Sequence, residues 1–102
     1  MKKTLLLAAA LALAACSVDY GQTRSSFQGK VAGKSLEEAV SSAGKPTREE
    51  NRGPDEKVLV YEKKTFDSEN MNAKDARVLV TFKKDPKTGQ FQYWGVEFVP
   101  ET

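Results

Sequence analysis

The sequence predicts an α+β fold: one or two short helices packed on a three-stranded antiparallel β-sheet, in the order helix-helix-β-β-β, over residues 27–102. Three observations carry this expectation. A capped amphipathic segment runs from Lys34 to Gly44, three strand-patterned runs follow it, and Asp85-Pro86-Lys87-Thr88-Gly89 forms a turn between the last two runs.

The front of the chain lies outside that domain. Met1-Lys2-Lys3 is a short positive start, Thr4 to Leu13 is rich in leucine and alanine, and Ala14 and Ala15 lead into Cys16. This arrangement describes a secretory signal peptide over residues 1–15. Its apolar stretch is shorter than the roughly 20 residues that span a bilayer. Leu13-Ala14-Ala15-Cys16 resembles the lipobox of bacterial lipoproteins, which implies cleavage before Cys16, diacylglycerol on its thiol and a further acyl chain on the new amino group. The alternative is an ordinary signal peptide cleaved near Ala15. It would leave the only cysteine of an exported protein as a free thiol. One chain alone binds membranes weakly, whereas two or three make attachment effectively permanent, since each buried methylene contributes about 0.8 kcal/mol. Ser17 follows the cysteine where an aspartate would mark inner-membrane retention in a Gram-negative host, which implies the outer membrane, periplasmic face. Residues 16–26 then read as a lipidated N-terminus and tether, polar apart from Val18 and Tyr20.

Charge adds a constraint. The full chain carries 16 basic and 14 acidic residues for a net +2. Two of the basic residues, Lys2 and Lys3, belong to the leader, so the remainder is formally neutral and its composition gives no reason to expect nucleic-acid binding. With a single cysteine, no internal disulfide is possible, and a domain of this size rests on its core alone.

Taken in order, Phe27 to Gly33 suggests a short helix or turn that carries Phe27 and Val31 inward. In the next element Ser35 and Glu38 form an S-x-x-E capping box. Leu36, Ala39, Val40 and Ala43 fall on one helical stripe, and Gly44 and Pro46 end the helix. Thr47 to Glu56 is charged and broken by Gly53-Pro54, so it reads as a loop. Lys57 to Phe66 and Ala76 to Lys83 read as the first two strands, joined by a polar loop from Asp67 to Asp75. Gln90 to Val99 reads as the third, with Trp94, Val96 and Phe98 on one face and Phe91, Tyr93 and Glu97 on the other. Proline and glycine in the Asp85–Gly89 segment make the last two strands a hairpin.

The ordered set Gly33-Lys34-Ser35, Val40, Gly44-x-Pro46, Tyr61, Val78-x-Val80-Thr81-Phe82 and Gly89 resembles the small outer-membrane lipoproteins of the SmpA/OmlA type. That group includes the E subunit of the β-barrel assembly machinery and the osmotically inducible lipoprotein E. The resemblance covers Phe27 to Phe98 and departs from the pattern at Lys34, where methionine is typical. It implies two helical segments on a three-stranded antiparallel sheet and a role in outer-membrane assembly or integrity.

The residues present suit binding better than catalysis. There is no histidine to act as a base near neutral pH, the one thiol is assigned to lipid, and no phosphate loop or metal-ligand motif occurs, so no enzymatic activity and no cofactor is expected. The paired acids Glu37-Glu38, Glu49-Glu50 and Asp55-Glu56 read as solvated surface. Lys63-Lys64 and Lys83-Lys84 read as strand ends that discourage edge pairing, with attraction to anionic headgroups as a second reading. Phe82, Trp94 and Phe98 read as core. Tyr61, Phe91 and Tyr93 are either core or, if they share the sheet face away from the helix, a patch for a partner protein. On the second reading the expected function is a non-catalytic accessory or scaffold, held to the membrane by Cys16 and binding an envelope protein. The alternative is a periplasmic inhibitor of a lysozyme, protease or β-lactamase, or a ligand-binding module, in which Thr47–Glu56 and Asp67–Asp75 enter a cleft.

Overall fold

The computed structural model describes residues 20–101. Its elements are β1 (Gln22–Thr23), α1 (Arg24–Val31), α2 (Leu36–Ala43), β2 (Arg48–Asn51), β3 (Glu56–Glu62), β4 (Thr65–Asp67), β5 (Ala73–Lys84) and β6 (Phe91–Pro100). The class is α+β, but the sheet is mixed and has six strands instead of three.

Both helices begin where side chains satisfy the first orphan amides. Thr23 accepts from the Ser26 amide, so α1 starts inside the segment expected to be a tether. Ser35 accepts from the Glu38 amide at 3.2 Å and the Glu38 carboxylate accepts from the Ser35 amide at 3.0 Å, completing the reciprocal box. Gly44 closes α2 at φ +97°, a conformation that side-chain-bearing residues rarely adopt.

The long strand β5 is the axis of the sheet. β6 pairs antiparallel along one edge, and β3 and then β4 pair antiparallel along the other. The run expected as one strand from Lys57 to Phe66 is therefore two strands, broken where Lys63 adopts φ +56° while its amide still donates to the Ala76 carbonyl. Two short edge strands complete the sheet. β2 pairs with β3, and β1 lies parallel to β4. Thr47–Glu56 therefore holds the strand β2, leaving residues 52–55 as a turn into β3, and the loop expected from Asp67 to Asp75 shrinks to residues 68–72. The two segments proposed to enter a cleft lie at opposite ends of β5: Asp55 bonds the Lys84 amide at its end, and residues 68–72 lead into its start.

The core fills the space between the helices and one face of the sheet. Phe27 and Val31 of α1 and Ala39 and Ala43 of α2 meet Leu59 and Tyr61 of β3 and Val78, Val80 and Phe82 of β5. Fully burying an aliphatic or aromatic side chain of this kind contributes about 1.5–3 kcal/mol. The Phe27 ring packs edge-on to Tyr61 at 5.0 Å.

A second, polar tie joins α1 to the sheet. The Arg24 guanidinium forms two bonds to the buried Asp75 carboxylate, at 3.0 and 2.6 Å, and the Thr65 hydroxyl donates to the same carboxylate at 2.8 Å. Asp67 lies 3.3 Å from another guanidinium nitrogen, and the guanidinium carbon sits 5.1 Å from the centre of the Phe98 ring. A carboxylate taken out of water needs such partners.

Candidate functional site

Strand alternation sends one side-chain set to the helices and the other to the opposite face, which no helix among the described residues covers. Register places Val58, Val60, Leu79, Thr81, Gly95, Glu97 and Val99 on this open face. Val58 and Val60 are fully buried there and Leu79 and Val99 half-buried, forming an apolar stripe beneath longer side chains. Arg48 contributes to that cover: it bonds Glu62 at 2.7 Å and Glu50 at 3.3 Å, and Arg52 reaches Glu50 at 2.9 Å. Arg52, and then Arg48, holds the Glu50 carboxyl below the usual carboxylate range. Arg77, opposite Glu62 in register, has its Nε buried without a hydrogen-bond partner among the described residues.

Trp94 dominates this face because of a one-residue slip. Thr81 pairs with Gly95 but Phe82 pairs with Tyr93, so Trp94 is the extra residue of a β-bulge. The slip reverses the parity expected for the start of the strand. Phe91 and Tyr93 turn to the helix side and pack half-buried against the core, Tyr93 edge-on to Phe82 at 6.5 Å. Trp94, expected in the core, is instead 65% exposed, with the Lys83 ammonium 4.0 Å from the centre of its ring. Gly95 has nothing within 4 Å of where a side chain would begin, so the backbone beside the indole is bare.

The residues singled out from the sequence fare differently. Cys16 lies outside the described residues. Tyr61 is buried against α1, with its hydroxyl bonded to the Gly44 carbonyl, so it offers nothing to a partner. Phe91 and Tyr93 do not share a free face with it, because all three point toward the helices. Trp94 is the aromatic that sequence reasoning misassigned, and the signal available was Gly95, since a glycine inside a strand often marks a bulge.

Elsewhere the relief is shallow. An open cleft of about 480 Å³ lies between Arg24, Gln28 and Glu69, but its strongest charges, Arg24 and Asp67, already pair with each other. Among the described residues, no helix is long and apolar enough to cross a membrane, and no group of three or more His, Cys, Asp or Glu is placed to hold a metal ion. Comparison of the chain with protein-family models, with characterised proteins and with solved structures gave no match.

Proposed function

We propose that this chain is a non-catalytic lipoprotein, anchored through Cys16 at the periplasmic face of an outer membrane, whose open sheet face binds another envelope protein as an accessory or scaffold. The observation that carries the binding reading is Trp94, displayed by a bulge on a face that none of the described helices covers. Tryptophan, more than other side chains, concentrates binding energy where a partner can desolvate it. The ion pairs of Arg48, Arg52, Glu50 and Glu62 would form the polar rim around it. The lipobox-like Leu13-Ala14-Ala15-Cys16 supports the anchor, and the SmpA/OmlA-type pattern supports a place in outer-membrane assembly or integrity.

Capture from detergent-solubilised envelopes tests the binding face. The wild type is expected to retain a partner that Trp94→Ala loses, and identical capture by both proteins would remove Trp94 from the proposal. Mass spectrometry of the N-terminal peptide tests the anchor, with acyl chains expected on Cys16.

A further inference from the structure

The described chain begins at one end of the molecule. The Tyr20 amide donates to the Lys63 carbonyl at 3.2 Å and the Gln22 amide to the Lys64 carbonyl at 3.4 Å, so the incoming chain lies against the break between β3 and β4. The Tyr20 hydroxyl bonds Glu101, and the Lys74 ammonium sits 5.0 Å from the centre of the Tyr20 ring. Lys63, Lys64, Lys74 and the chain's point of emergence therefore occupy one end of the sheet. The β4–β5 hairpin projects from that same end and carries Met71, 95% exposed.

Three residues separate Cys16 from Tyr20. Fully extended, the four steps between them span about 14 Å. β5, by contrast, runs for 12 residues, which is about 40 Å at strand rise. A chain anchored at Cys16 must keep the Tyr20 end near the bilayer and can hold Lys83, Lys84 and Trp94 away from it. At the near end three ammonium groups can meet an anionic surface. Lys63, Lys64 and Lys74 take part in no ion pair among the described residues. Of the nearby acids, Asp67 and Asp75 share Arg24, while Glu101 bonds the neutral Tyr20 hydroxyl and keeps its charge. Among the described residues, Glu101 and Glu69 on the hairpin are opposing charges, so the three lysines and not the net charge of this end carry the attraction.

We infer that this end of the domain is a seat for anionic phospholipid headgroups, in which Lys63, Lys64 and Lys74 meet the surface and the sheet stands upright on it, presenting Trp94 to the periplasm. The inference rests on the proposed anchoring through Cys16.

The molecule contains its own control, because Lys83, Lys84 and Lys87 lie at the opposite end. The test uses full-length lipidated protein in vesicles of phosphatidylethanolamine with cardiolipin, or of phosphatidylcholine alone, pulsed with an amine-acetylating reagent and read by peptide mass spectrometry. In the anionic vesicles, modification of Lys63, Lys64 and Lys74 is expected to slow about fivefold relative to the distal three lysines, and in phosphatidylcholine most of that protection is expected to vanish. Equal rates at both ends, or equal protection in both vesicles, with acyl chains present on the N-terminal peptide, would overturn the headgroup seat and leave the anchor standing. An unacylated N-terminal peptide would overturn the anchor and the seat together.

Discussion

The Tyr61 hydroxyl donates to the Gly44 carbonyl oxygen at 2.7 Å, tying the end of α2 to the interior of the sheet. Burial pushes that hydroxyl up to about 12 from its ordinary value of 10.0. The folded state therefore holds the proton more tightly than the unfolded chain. The stabilisation is complete below pH 10 and is lost as pH rises toward 12, about 2–3 kcal/mol in all. Urea midpoints measured across this range are expected to fall more steeply for the wild type than for Tyr61→Phe. At neutral pH that variant should cost only about 1 kcal/mol, because exposed Gly44 can bond water instead.

Asp75 should be the most sensitive polar position. Asp75→Ala leaves the Thr65 hydroxyl without its acceptor and strips two bonds from Arg24. A loss of about 3 kcal/mol is expected, from the breaking of a buried pair. In a domain of this size it should appear as a fall in melting temperature of roughly 12 °C or more. A change within 2 °C, roughly the scatter of a neutral surface substitution, would show that the cluster contributes little.

Met71 and Asn72 both have positive φ, at 56° and 58°, and the Ala73 amide donates to the Asn70 carbonyl across them. This is a type I′ turn, which favours Asn or Asp at its first central position and Gly at its second. Met71→Asn should therefore stabilise the domain by about 0.5 kcal/mol, read as a higher urea midpoint with an unchanged slope.

Trp94 is the chain's single tryptophan and so a reporter of its own surroundings. Its emission is expected to be red-shifted and readily quenched by acrylamide in the isolated protein, and blue-shifted on partner binding. Trp94→Ala should leave stability within about 0.5 kcal/mol of wild type, as for other exposed positions. A loss of several kcal/mol would assign the indole to packing.

Much of the fold was legible where pattern and physics coincide. Ser35, Glu38 and Gly44 marked the ends of α2 because capping is local chemistry, and Val78, Val80 and Phe82 alternated as a strand with one buried face must. β2 was missed because Arg48-Glu49-Glu50-Asn51 has no apolar alternation, its pairing with β3 being a matter of backbone bonds at an exposed edge. The start of α1 was missed because Arg24, Ser25 and Ser26 look like tether, and the carboxylate that fixes Arg24 is 51 residues away. The candidate site was less legible still. A bulge shifts parity by one, and a one-residue shift exchanges the two faces of a strand. Trp94 and Tyr93 therefore traded places relative to simple counting, and Tyr61 went to the core with the rest of its face.

The central place of β5 sets the order in which the molecule can come apart. Its amides bond β3 and β4 on one side and β6 on the other, so they exchange with deuterium only when one of these central pairings opens. β1 and β2 each hang from a single neighbour and can detach while the rest persists. The strand next to the point of emergence is thus among the first to let go. A tug from the amino terminus would peel β1 from β4 and then load the Arg24–Asp75 clasp before the hydrophobic interior felt any force.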